Sequence, residues 1–366
     1  MPDATGSTRD IRVELGERSY SILVESGASS RLGEHLRGRT DAGRAVVVTD
    51  DRVDEHHGRV TKQALEAADL ETHVVVVPSG ESTKSIEELA RLYDAMAQAR
   101  LERDDVVVAI GGGVVGDLAG FAAATFRRGV AVAQVPTTLM AQVDSSIGGK
   151  TGVNLPAGKN LVGAFHQPRV VIVDPDLLST LPVAEYRSGL AEVVKYGIIR
   201  DRELFEQLEA RVDDVNARDP ELLVDVIARC AGIKASVVSA DERETLGERL
   251  ILNLGHTVGH ALEAILGYEG LRHGEAVAIG TVCACKVAMA ANRLSPDDAK
   301  RIHALLEALE LPTAMPDVDR ARLLEHLAQD KKVRHGRVRF ILPEGIGEVS
   351  VEELGCDEIL DALSLS

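Results

Sequence analysis

The chain has 366 residues, an ordinary 45% of hydrophobic residues, 3% aromatics, no Trp and a formal net charge of −17. That length allows two domains and a large core. The acidity argues against nucleic acid and anionic membrane surfaces as partners, since both need clustered Lys and Arg. An anionic small molecule would need the basic residues gathered in one cleft. The four cysteines (Cys230, Cys283, Cys285 and Cys356) show neither a disulfide framework nor paired zinc spacing, and Cys283 and Cys285 sit on an apolar helical segment as core. No charged stretch precedes an apolar one at the start, and no run reaches membrane-spanning length, so a cytoplasmic protein is expected. Residues 1–10 read as a disordered leader.

In chain order, residues 11–15 and 20–24 alternate as a β-hairpin with Gly16 and Glu17 near its turn. Residues 44–49 and 73–77 are continuous β-branched runs, the pattern of parallel strands buried on both faces. Helical spacing fills residues 53–68 and 84–100, and further strands are expected at 106–110, 130–135 and 170–173. Strands alternating with helices predict an α/β domain with a doubly wound, mainly parallel sheet. Asp50, Gly80-Glu81, Gly111 to Gly113 and Pro136-Thr137-Thr138 each fall just after a strand, where such sheets bind ligands. After about residue 182 the texture turns helical: 185–208, 220–240, 249–266, 274–292, 296–309 and 319–329. Only 338–342 and 349–351 look extended, as a small hairpin. The expected domains are therefore 1–182 and a mostly α-helical 183–366.

The stretch from Gly111 to Asn160 is the richest in chemistry. It reads GGGVVGD, TFRRGVAVAQVPTT, QVDSSIGGKTGVN and GKN, with its charges expected on loops. A strand running into three glycines and a helix start lets backbone amides approach a pyrophosphate, although the order departs from GxGxxG. Glu81 and Lys84, in GESTKS, offer a carboxylate for ribose hydroxyls and an ammonium for phosphate, or simply flank a helix start capped by Ser82 or Thr83. Lys150 and Lys159, beside glycines and Asn160, suit a second anion next to the nucleotide. Farther on, NLGHTVGH places His256 and His260 at i and i+4 on one helix face. His273 opens HGEAVAIG, and Glu192 stands on the apolar helix GLAEVVKYG, where a carboxylate needs a partner. Two histidines, one carboxylate and an open position describe a catalytic zinc site, but spacing leaves open whether His256 and His260 both bind.

Taken together, GGGVVGDLAGFAAATFRRGV, VPTTLMAQVDSSIGGKTGVN, GKNLVGAFHQP, GLAEVVKYG, LNLGHTVGHALE, HGEAVAIG and DKKV followed by RFILP resemble the 3-dehydroquinate synthase family of sugar phosphate cyclases over nearly the whole chain. The resemblance implies an N-terminal NAD-binding domain and a C-terminal metal- and substrate-binding domain. It implies zinc (or cobalt) on Glu192, His256 and His273, which leaves His260 on the substrate side. It further implies NAD contacts from Asp50, Gly80, Glu81, Lys84, Gly113, Val114, Val115, Gly116, Asp117, Thr137, Thr138, Lys150, Lys159, Leu177 and Thr180. Substrate contacts would come from Asp144, Lys150, Lys159, Asn160, Lys195, Lys234, Arg249, Asn253 and His260, with Lys331 or Lys332 near the phosphate. Arg128 resembles an arginine that reaches the neighbouring subunit's site, implying a homodimer.

The implied reaction turns 3-deoxy-D-arabino-heptulosonate 7-phosphate into 3-dehydroquinate and phosphate, in the shikimate pathway. Its steps are transient oxidation by NAD, phosphate elimination, re-reduction, ring opening and an intramolecular aldol closure. Competing expectations are an inosose or valiolone cyclase, a metal-dependent polyol dehydrogenase, or a noncatalytic nucleotide-binding regulator. Arg249 with Asn253, and the full DSSIGGKTGVN loop, favour the first reading over the other cyclases.

Overall fold

The computed structural model describes residues 8–267, 270–328, 333–334 and 337–363. It divides into two compact units, Met1–Pro182 with Pro220–Arg243, and Val183–Asp219 with Glu244–Ser366. The helix Pro220–Ala240, counted with the C-terminal domain in the sequence reading, thus packs with the first unit, against the strand Arg9–Val13 and the turn Ala141–Ser145.

The first unit is built on a seven-stranded sheet. Its strands are β1 (Arg9–Val13), β2 (Tyr20–Val24), β3 (Arg44–Asp50), β4 (Glu71–Val77), β5 (Val106–Gly111), β6 (Ala131–Pro136) and β9 (Val170–Val173). The order is β1-β2-β9-β6-β5-β3-β4, parallel throughout except for the β1–β2 hairpin. Arg9 and Asp10, assigned to a leader by sequence, belong to β1; residues 1–7 lie outside the described residues.

The β-branched runs form the central strands because both faces are covered. Val46, Val48, Val107 and Ala109 pack with Leu89, Leu92, Met96 and Leu118 on one side. Val47, Val106, Val108 and Ile110 pack with Leu32, Leu36 and Leu65 on the other. An alternating pattern would have left one face wet. β3 and β5 are neighbours although β4 intervenes in sequence, so the chain reverses its direction of travel across the sheet there. Clefts at the carboxyl ends of strands open at such a reversal. The loops after β3, β4, β5 and β6 share that rim.

One expectation is corrected here. The charged segment around Lys150 and Lys159 is a two-stranded antiparallel hairpin, β7 (Lys150–Leu155) and β8 (Gly158–Phe165), rather than loops. Its glycines disguised it, but they are what let the strands close: a Cβ on Gly163 would stand 2.1 Å from the Thr151 carbonyl.

The second unit is mostly helical. The segment expected as one helix over 185–208 is two, Val183–Ile199 and Arg202–Ala210, because Asp201 accepts from the Leu204 amide and starts a new helix. The segment 249–266 likewise divides into a tight turn, Glu248–Asn253, and the helix His256–Ile265, separated at Gly255 with φ 78°. Helices His273–Ala290, Pro296–Ala308 and Arg320–Ala328 follow, with β10 (Val333–Arg334), β11 (Arg337–Gly345) and β12 (Glu348–Gly355) forming a small sheet. All four cysteines are buried, and burial pushes the Cys283 and Cys285 thiols up to about 12. Among the described residues no helix is long and apolar enough to cross a membrane.

The helices that carry His256 and His273 cross closely. A Cβ on Gly280 would lie 1.9 Å from the carbonyl oxygen of Gly255, which has no room to yield. Gly280→Ala is therefore expected to cost about 3 kcal/mol through overpacking, read as a fall in the denaturant midpoint. An unchanged midpoint would show that the crossing is soft.

Candidate active site

In the first unit, the candidate nucleotide residues line the strand ends. Asp50 closes β3, and its carboxylate accepts from the Arg52 and Val53 amides at 3.0 Å each, which fixes the turn. β5 ends at Gly111, and the helix Gly113–Thr125, with Val114, Val115, Gly116 and Asp117 in its first turns, starts from Gly112 with no side-chain cap. Side chains here would crowd the neighbouring loop: a Cβ on Gly112 would stand 3.0 Å from Thr138 Cγ2, and one on Gly113 2.9 Å from Ser145 Oγ. The glycines thus leave a cradle of amides open at a helix start, which suits a phosphate-bearing group. The Thr137 amide donates to the Gly111 carbonyl at 3.0 Å, tying the loop after β6 to this turn, and Thr138 Oγ1 accepts from the Ala141 amide at 3.1 Å. Leu177 is buried in the turn Pro175–Thr180, whose Thr180 hydroxyl meets His57 Nε2 at 2.8 Å.

Gly80, at φ 111°, leads into Glu81 and the buried Lys84. The Lys84 ammonium donates to Asp117 at 2.7 Å and to Asn160 Oδ1 at 2.6 Å. Burial raises the Asp117 pKa, and the Lys84 charge opposes that rise. Lys150 opens β7 with an exposed side chain, and Lys159 and Asn160 lie on β8. Asp144, in the widened turn Ala141–Ser145, accepts from buried Lys234 at 2.6 Å through both its carboxylate and its carbonyl. Arg128 lies exposed at φ 68°, beside Arg127 at φ 49°, in a surface depression with Glu102, Arg103 and Asp104.

The second unit gathers a different chemistry. Glu192 is fully buried, and among the described residues neither carboxylate oxygen has a hydrogen-bond partner, although the Lys195 ammonium forms an ion pair with it. His256 Nε2 stands 3.6 Å and His273 Nε2 3.9 Å from Glu192 Oε1. One potential ligand atom from each of the three lies within 4.8 Å of the others. His256 Nδ1 meets the Leu254 carbonyl at 3.1 Å, which puts its proton there and leaves Nε2 as a lone-pair donor. Burial, then the charge of Lys195, holds the His256 pKa well below its ordinary value, so the ring is neutral.

His273 Nδ1 faces Glu263 Oε1 at 3.4 Å. Burial works against its charged form, but the hydrogen bond and charge of Glu263 leave its pKa raised. A buried carboxylate with two imidazoles held from behind fits a divalent cation with a position open to another ligand.

His260, Glu263 and His273 form a second set of atoms within 4.8 Å. Among the described residues, neither set contains both His256 and His260. Glu263 was missed by sequence reading; its signal was a carboxylate three residues after His260 on an otherwise apolar helix. Arg249 is 3% exposed, with Glu244 Oε1 at 3.4 Å from Nε. Asn253 closes the turn that carries Arg249. Lys331 and Lys332 lie outside the described residues.

The family model described as 3-dehydroquinate synthase N-terminal matches residues 74–188, and its C-terminal counterpart matches 189–333. The chain is 47% identical to the 3-dehydroquinate synthase of Nostoc sp. (strain PCC 7120 / SAG 25.82 / UTEX 2576), covering 97% of this chain and 99% of that one. This chain belongs to the 3-dehydroquinate synthase family. Within that family, the protein of Mesorhizobium japonicum (strain LMG 29417 / CECT 9101 / MAFF 303099) is 48% identical, over 96% of this chain and 95% of that protein.

Among solved structures, this 3-dehydroquinate synthase family member is similar to a 2-epi-5-epi-valiolone synthase from Streptomyces hygroscopicus subsp. jinggangensis 5008 with NAD+ and Zn2+ bound. The TM-score is 0.86 at 31% identity, covering 96% of this chain and 97% of that one. A 2-deoxy-scyllo-inosose synthase complexed with carbaglucose-6-phosphate, NAD+ and Co2+ gives 0.87 at 27% identity, covering 98% and 99%. The maleylacetate reductase of Agrobacterium tumefaciens, at 18% identity, TM-score 0.65 and coverage of 100% and 97%, shares the fold.

Proposed function

We infer that the protein converts 3-deoxy-D-arabino-heptulosonate 7-phosphate to 3-dehydroquinate and phosphate, using NAD and a divalent cation. The observation that carries this is the buried Glu192 between the His256 and His273 imidazoles, with buried Arg249 in the same unit. Glu192, His256 and His273 would hold zinc or cobalt. The glycine cradle at Gly112–Gly113, with Asp50, Glu81, Lys84, Asp117, Thr137, Thr138 and Thr180, would hold NAD. When bound, the cation polarises substrate hydroxyls and the nicotinamide takes up and later returns one hydride.

The chain's own residues do the rest. Arg249 has the forked donors that match a substrate carboxylate, the group that inosose- and valiolone-type substrates lack. Lys150, Lys159 and Asn160 offer donors to phosphate and its neighbouring oxygens, and His260 can hold or pass a proton near the leaving phosphate. Lys195, pinned against Glu192, and Lys234, pinned by Asp144, are preset cations for developing oxyanions. We further propose a homodimer in which Arg128 of the partner subunit contributes to phosphate binding; Arg128 is exposed and so accessible to a second copy.

The test is phosphate release from the heptulosonate phosphate with substoichiometric NAD, with and without chelator. Many turnovers per NAD, no net NADH and abolition by chelator are expected. Stoichiometric NADH would instead indicate a polyol dehydrogenase.

A further inference from the structure

A side chain assigned no role so far links the two halves of the first unit's chemistry. Asn154 sits where the pairing of β7 with β8 slips, between Val153↔Val162 and Leu155↔Gly158. Between those pairs β7 has one residue and β8 three, so the extra residues lie on β8 and Asn154, opposite them, leaves the regular ladder. The Asn154 amide N–H leaves the hairpin and donates to the Lys84 carbonyl at 2.8 Å. Its side-chain Nδ2 donates to Glu81 Oε1 at 2.8 Å, and its Oδ1 accepts from the Asn160 amide at 2.9 Å. Asn160 itself is held at φ 55°, a left-handed conformation that needs a local hydrogen bond to persist.

The orientation of this amide is unambiguous. A backbone N–H can only donate and an ionised carboxylate can only accept, so the oxygen must face Asn160 and the nitrogen must face Glu81. Asn is the residue whose short side chain carries both functions. The ring closes through Lys84, which donates to Asn160 Oδ1.

Building on the assignments of Glu81 to NAD and Asn160 to phosphate, we propose that Asn154 is a positioning residue that sets the nucleotide-side carboxylate and the phosphate-side amide in one fixed register. Asp at this position would keep the acceptor for Asn160 but turn a carboxylate onto Glu81. Ala would release both.

The experiment compares Asn154→Asp, Asn154→Ala, Glu81→Gln and the double variant Glu81→Gln/Asn154→Asp. NAD+ binding is followed by titration calorimetry, and phosphate release gives KM and kcat for the heptulosonate phosphate. Asn154→Asp is expected to weaken NAD+ roughly tenfold, the effect of a lost hydrogen bond plus like-charge contact, with substrate KM within about twofold of wild type. Asn154→Ala should raise both constants. In the double variant the amide introduced at position 81 can donate to the carboxylate introduced at position 154, so its NAD+ affinity should exceed the product of the two single losses by at least about threefold.

Unchanged NAD+ affinity in Asn154→Asp, or a double variant whose losses simply multiply, would overturn the proposal. The Asp and double variants keep an isosteric side chain, so the comparison stands even if Asn154→Ala folds poorly. A wild-type protein that binds no NAD+ would instead overturn the functional reading beneath it.

Discussion

Replacement of Glu192 by Gln is expected to reduce phosphate release by roughly a thousandfold or more and to strip the metal on desalting, because a cation supplies several kcal/mol of transition-state stabilisation. The change is isosteric, so packing around this fully buried side chain is preserved while the ligand charge is removed. The Lys195 ammonium, now ion-paired to Glu192, would face a neutral amide in the core, and His256 and His273 would be left as a two-ligand site. Zinc content per chain after desalting is the deciding readout, with phosphate release beside it. A Glu192→Gln protein with wild-type zinc content would remove the metal assignment, whatever happened to its activity.

Arg249→Lys should lower kcat/KM for the heptulosonate phosphate by about a hundredfold, mostly through KM, because an ammonium cannot reproduce two parallel bonds to a carboxylate. Positive charge is conserved, so the loss would report geometry and not net charge. Arg12→Lys is the control: that arginine is exposed on β1, 3.9 Å from Glu14. Equal losses in the two variants would discredit Arg249 as the carboxylate anchor and reopen the assignment among cyclases whose substrates carry none. Glu244 Oε1 lies 3.4 Å from the Arg249 Nε, so the buried guanidinium has a carboxylate beside it in the free protein.

Much of the sheet was legible because the cause was local. A run such as Arg44–Asp50 or Val106–Gly111 is β-branched on both alternating faces, and only a strand covered on two sides uses such a run. The hairpin Lys150–Phe165 was not legible. Its glycines and lysines read as loop, and what makes it a sheet is close approach between two backbones that no single-chain periodicity records. Helix breaks at Asp201 and Gly255 were hidden in the same way, because the apolar spacing continues across them while one cap or one left-handed residue turns the axis.

The candidate site divides along similar lines. Sequence by itself determined the candidates for chemistry: histidines beside glycines, a carboxylate on an apolar helix, and lysines and an arginine within otherwise ordinary elements, all singled out by residue type and spacing along single segments. Spacing left their grouping open and the family resemblance implied one, Glu192 with His256 and His273; what brings those side chains together is the tertiary structure. It put His273, seventeen positions beyond His256 in sequence order, into the Glu192 set while His260, one turn away from His256, fell outside it. It turned Glu263 onto His273 and aimed Asn154 at both Glu81 and Asn160. The reason is that spacing along one helix constrains only neighbours on that helix, whereas a ligand set is chosen by the close crossing of helices such as the one at Gly255 and Gly280.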